Sequence, residues 1–114
     1  MNINEKFIEA VFENKLDEAK KYVEQGADVN YTYEDGRVAL TYAVMARNYE
    51  MVKYLVEQGA NPNVDPELQW IVENNRDIKI ETTLEDGTTV VDDSCQKIAE
   101  YLEDKFDNEN IIIQ

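Results

Sequence analysis

The pentapeptide VEQGA stands at Val23 to Ala27 and returns thirty-three residues later at Val56 to Ala60. A fixed period of roughly 20–50 residues is the mark of a stacked repeat, in which each unit buries its apolar face against the next. Before the second copy, Met51, Val52, Leu55 and Val56 fall at i, i+1, i+4 and i+5, one face of a helix. Ala19, Tyr22 and Val23 hold the same places before the first. Gly26 and Gly59 then sit where a helix ends in a left-handed residue, a conformation glycine adopts without steric cost. The echo therefore reads as a helix stop followed by a turn.

Between the two stops, residues 30–59 open with a polar turn, Glu34-Asp35-Gly36. The spacing predicts a short helix from Ala39 to Ala46, a break at Arg47-Asn48, and a longer helix from Glu50 to Gln58. Turn, helix and helix in this period resemble the ankyrin repeat. The likeness is carried by Asn30, by Asp35-Gly36-Arg37, and by Val38-Ala39-Leu40-Thr41-Tyr42-Ala43 on the family's T-P-L-H-x-A. Glu50 to Gly59 follows the family's second helix, and Gly26 to Asn30 its Gly-Ala-Asp-x-Asn ending. Val38, Ala39 and Thr41 replace the family's Thr, Pro and His, which removes capping hydrogen bonds but leaves the packing pattern. The resemblance implies a mainly α fold: a short ankyrin-repeat solenoid of about two and a half to three helix pairs.

Residues 1–29 read as an N-terminal capping repeat, with Phe7, Ala10, Val11 and Phe12 in its first helix and residues 16–25 as its second. Residues 30–62 are the full repeat, and residues 63–106 a divergent one. There, Asp65 suits an N-cap with Pro66 at the first helical position, and Leu68, Ile71 and Val72 supply an apolar face. The expected partner helix is displaced to Ser94 to Lys105. Ile78, Ile80, Thr82 and Leu84 alternate with polar residues, Asp86-Gly87 signals a turn, and Thr88 to Val91 is β-prone. That pattern is a β-hairpin insertion at 77–91 near the C-terminus, splitting a third repeat; a separate cap over 76–114 is the alternative. The tail, 107–114, ends in Ile111, Ile112 and Ile113, which either dock on the end of the stack or add a strand.

Eleven basic residues against 25 acidic ones give a formal charge of −14. Residues 1–63 account for −4 of this and residues 64–114 for −10. Such a field repels nucleic acid and anionic membrane and steers basic proteins toward the chain. No apolar run approaches the ~18 residues of a membrane span. No signal peptide is evident, and a single cysteine, Cys95, suits a reducing compartment, so a cytoplasmic location is expected. The sequence has no histidine, no glycine-rich phosphate loop and no cysteine–histidine cluster. Neither a catalytic residue nor a metal or other cofactor is expected. Cys95, at a predicted helix start, is either a dipole-activated thiol or a small buried residue.

The resemblance implies that the family's variable binding positions fall at Thr32, Glu34, Asp35, Arg37, Met45 and Ala46. Tyr33 is expected as an exposed anchor at the finger tip, with Tyr31 packed beneath. Trp70 either continues the row begun by Met45 or packs under the hairpin. The remaining tyrosines on helices, Tyr22, Tyr42, Tyr54 and Tyr101, read as mostly core. Asp77, Glu81, Glu85, Asp86, Asp92 and Asp93 form a carboxylate-rich C-terminal surface. Together these residues point to a protein–protein interaction module, monomeric when free, that takes a basic protein partner. A small acidic ankyrin protein looks like an immunity or inhibitor protein, including the bacterial toxin–immunity type, that occludes a partner such as a nuclease toxin. The alternative is an adaptor or effector that binds a peptide or host protein without inhibiting it.

Overall fold

The computed structural model describes residues 2–107. The order is α1 (Ile3–Phe12), α2 (Leu16–Glu24), α3 (Ala39–Met45), α4 (Tyr49–Glu57), α5 (Leu68–Asn75), β1 (Ile80–Thr83), β2 (Thr89–Asp92) and α6 (Ser94–Leu102). A short 3-10 turn, Glu103–Lys105, follows α6. α1 packs on α3 and α3 on α5, which makes one row of first helices. α6 packs on both α4 and α5. The fold is a mainly α, short repeat solenoid with a β-hairpin inserted near its C-terminal end.

The ends of the helices repeat as the sequence does. Gly26 and Gly59 have φ values of 103° and 99°, and the N–H groups of Ala27 and Ala60 return to the carbonyls of Tyr22 and Leu55. Asn14 and Arg47, also thirty-three apart, take left-handed φ values of 61° and 56° in the α1–α2 and α3–α4 loops. Between the rows lies one core, in which Phe7, Val11, Leu40, Met51, Leu55, Leu68, Ile98 and Leu102 have essentially no exposed surface. Burying each such side chain contributes about 1.5–3 kcal/mol before entropy is counted.

Asparagines tie the start of each repeat to its end. Asn30 donates its amide to the Gly59 carbonyl at 3.1 Å and accepts the Asn61 N–H at 2.8 Å. Asn63 does the same one repeat on, to the Lys105 carbonyl at 3.1 Å and the Asp107 N–H at 2.7 Å. Asn4 accepts the Asp28 N–H at 2.8 Å. Lys105 thus takes the place of Gly59, and Phe106, like Ala27 and Ala60, is buried beside the clip.

The hairpin pairs Ile80 with Asp92, Glu81 with Val91, Thr82 with Val90 and Thr83 with Thr89. Its strands begin later and end later than the 77–91 expected, because Asp77 and Ile78 belong to the turn closing α5 and Asp92 still pairs with Ile80. Residues 81–91 are all exposed, so the ribbon stands clear of the body. Its turn copies the finger. In Tyr33 to Arg37 the Tyr33 N–H meets the Arg37 carbonyl at 2.8 Å, the Gly36 N–H meets the Tyr33 carbonyl at 2.9 Å, and Asp35 accepts the Arg37 N–H at 2.9 Å. In Leu84 to Thr88 the corresponding three distances are 2.7, 2.9 and 2.9 Å. The shared Glu-Asp-Gly sequence produces one turn twice.

Several local expectations are corrected. α5 begins at Leu68, not Pro66, because Asp65 uses its carboxylate on the Glu67 N–H at 2.9 Å and on Thr41, making a turn that precedes the helix. α3 and α4 each end one residue early, and the last helix tightens to 3-10 after Leu102. Phe12 is not core but 67% exposed. Tyr42 is buried, whereas Tyr22, Tyr54 and Tyr101 are half-buried; Lys20 lies over the Tyr54 ring and Lys105 over the Tyr101 ring. The isoleucine tail lies outside the described residues.

We read residues 63–106 as one repeat interrupted by the ribbon. Removing residues 78–91 and closing the gap with a short loop is then expected to leave a folded protein. Asp92 stays to accept the Ser94 N–H and to pair with Arg47. Circular dichroism checks this: unchanged helical content supports one interrupted repeat, and its loss a separate C-terminal unit.

Candidate binding surface

Two features present side chains outward: the face of α1, α3 and α5 with its finger, and the ribbon. On the first, Phe12, Met45 and Trp70 are 67%, 46% and 66% exposed, one from each successive helix. Phe12 and Met45 are thirty-three apart, so the repeat register places them equivalently. Trp70 is not covered by the hairpin; its carbonyl accepts the Asn74 side-chain amide at 2.8 Å while the ring faces outward.

The finger is less free than its sequence suggests. Tyr33 is half-buried against the core, as is Tyr31, so it forms a wall and not a tip. With Glu5, Ile8, Glu9, Phe12 and Tyr42 it lines a cavity of 240 Å³ between α1 and the finger. Phe12 and Tyr42 meet edge to face, with ring centroids 5.7 Å apart. The Tyr42 hydroxyl donates to the second oxygen of Asp35, whose first oxygen closes the finger turn. That bond holds the Asp35 carboxyl below its usual range, while burial and then Asp35 push the Tyr42 phenol up to about 12. Tyr33 is also raised, chiefly by Glu34 and next by burial. The concave site is therefore aromatic and electronegative. Glu34 and Asp35 are exposed and Arg37 half-exposed at its edge.

The acidic residues expected near the C-terminus do not join this face as one site. Asp77, Glu81, Glu85 and Asp86 are exposed along the ribbon and its base. Asp86 is used by its turn, its carboxyl lowered by the Thr88 N–H. Asp92 accepts the Ser94 N–H and reaches Arg47 at 3.7 Å, and Asp93 pairs with Lys97 at 3.5 Å. Such half-exposed pairs contribute little stability. Around them the ribbon exposes Ile78, Leu84, Val90 and Val91. The Cys95 thiol is buried and pushed up by that burial, which disfavours the reactive thiolate.

Sequence reasoning missed Glu5, Ile8, Glu9 and Phe12. Phe12 was within reach, because the same thirty-three-residue step that links the repeats leads from Met45 back to it. Glu5 and Glu9 had no signal, since their relevance comes from the cavity that they line together with Tyr33 and Tyr42, distant in the chain.

Residues 7–56 match the family model of ankyrin repeats (many copies). The mitochondrial disaggregase of Homo sapiens is 32% identical over 80 residues, which is 70% of this chain and 11% of that protein. The mitochondrial disaggregase of Bos taurus is 33% identical over 70 residues, 61% of this chain and 10% of that one. Xenopus tropicalis myotrophin is 35% identical over 58 residues, 51% of this chain and 49% of its own length. The chain thus spans about a tenth of the disaggregases and about half of the myotrophin. No helix among the described residues is long and apolar enough to cross a membrane.

Proposed function

With ankyrin repeats, generally non-enzymatic protein-binding modules, in residues 7–56, we propose that the face of α1, α3 and α5 grips a basic partner protein. The observation that carries this is the set of three large apolar side chains, Phe12, Met45 and Trp70, left exposed on α1, α3 and α5, the first helices of the stack. Well-packed aromatic and apolar anchors of this kind supply most of an interface's affinity. Glu5, Glu9, Glu34 and Asp35 beside them set the sign of the partner, and the overall charge of −14 speeds its encounter.

The ribbon serves as a second arm. Its exposed Glu81 and Glu85 enter a cationic groove while Leu84 and Val90 pack at its margin. In this reading the chain acts as an inhibitor of the immunity type, occluding the groove by which its partner would hold an anion.

The test is a photo-crosslinking residue at Met45 and, as a comparison, one at Lys20 on α2. We expect adducts with a basic protein from position 45 and not from position 20, with yield falling as salt rises. Heparin, a polyanion, should compete for the same partner. Equal labelling from both positions would remove the binding face, and indifference to heparin would remove occlusion.

A further inference from the structure

We infer that the cavity between α1 and the finger is a socket for one cationic side chain of the partner, a guanidinium or an ammonium. This deepens the binding role proposed above and rests on it. At 240 Å³ the cavity is smaller than the ~300–1,000 Å³ of small-molecule sites, and suits a single side chain. Three of its six lining residues, Phe12, Tyr33 and Tyr42, are aromatic, and two, Glu5 and Glu9, are carboxylates. Aromatic faces attract cations through the ring quadrupole, and a carboxylate at the rim supplies the counter-charge.

The walls are fixed in advance. Tyr42 is tethered through its hydroxyl to Asp35, its ring meets Phe12 edge to face, and Tyr33 is held by the finger's backbone bond to Arg37. Glu5 is pinned by the Asn2 N–H at 3.3 Å in the capping box of α1. Among the described residues, no lysine or arginine forms a salt bridge with Glu5, Glu9 or Glu34. Arg37, the finger's own cation, does not line the cavity. A site with ordered rings and carboxylates that form no salt bridge within the described residues takes its cation from outside.

The test is a titration of the full chain with Nα-acetyl-arginine amide, Nα-acetyl-lysine amide and the neutral citrulline counterpart. The ring-proton resonances of Phe12, Tyr33 and Tyr42 report binding. We expect saturable shifts with a dissociation constant on the order of millimolar for at least one cationic probe. Citrulline should bind at least tenfold more weakly. The Phe12→Ala/Glu9→Gln variant should weaken the cationic probe at least tenfold, and because both residues are exposed its circular dichroism should match the parent. Equal shifts from citrulline, shifts unchanged in the variant, or no saturation would each overturn the socket. If Met45 crosslinking survives while these shifts are absent, the socket alone falls; if both vanish, the binding face falls with it.

Discussion

Asp65→Ala is expected to lower the unfolding free energy by about 3 kcal/mol, from the loss of one buried acceptor that serves two donors. Thr41 has no exposed surface and donates its hydroxyl to the Asp65 carboxylate at 2.8 Å. Asp65 is 4% exposed, and its other oxygen accepts the Glu67 N–H at 2.9 Å, forming the turn that launches α5. Alanine leaves a hydroxyl and an amide without partners, in a repeat that is already divergent. Urea unfolding with an unchanged slope should show the loss, and the melting point should fall on the order of 10 °C. Asp65→Asn keeps an oxygen for Glu67 and places an amide against Thr41, so its cost should be about 1 kcal/mol. Thr41→Val should be destabilising alone, and strongly coupled to Asp65→Ala in a double-mutant cycle. An Asp65→Ala protein as stable as the parent would mean that this buried bond does not help to hold the two repeats together.

The second large effect concerns binding. Replacing Phe12, Met45 and Trp70 together by alanine is expected to weaken the partner captured through position 45 by at least ~100-fold, about 2.7 kcal/mol. All three side chains are largely exposed, so the unfolding free energy should move by about 0.5 kcal/mol at Met45 and Trp70 and about 1 kcal/mol at Phe12, which meets Tyr42 edge to face. The readout is the dissociation constant by calorimetry, with thermal unfolding as the control. A triple variant that binds as tightly as the parent would transfer the interface to the ribbon. Repeating the measurement with Leu84→Ala/Val90→Ala would then locate it.

The repeat architecture was legible because its signals are local. A left-handed glycine at a helix end, an apolar stripe one helical face wide and an Asp-Gly turn each depend on a few neighbours in the chain. The thirty-three-residue step joined these signals, and its Asn30–Asn63 pair makes two of the clips that close a repeat's start on its end. Helix ends were less legible by a residue or two, since side chains such as Asp65 choose between capping a helix and building a turn.

The candidate site was only partly legible. Met45 and Trp70 are exposed, but Tyr33 belongs to a wall and Phe12 to the surface. Those two exchange their expected roles because Tyr33 packs against the core while Phe12 stays exposed, both lining one cavity. No periodicity within either segment encodes that contact.

The two Glu-Asp-Gly turns mark the boundary between sequence and tertiary structure. From sequence alone, both close the same hydrogen-bonded loop, since aspartate and glycine at those offsets settle the backbone wherever they occur. Only the packed molecule decides that the Asp35 turn docks beside α1, gaining the Tyr42 hydroxyl and an aromatic cavity, while the Asp86 turn stands in water at the end of a ribbon. Turn formation spends short-range interactions that the chain carries with it; burial depends on which distant surfaces the stack brings near.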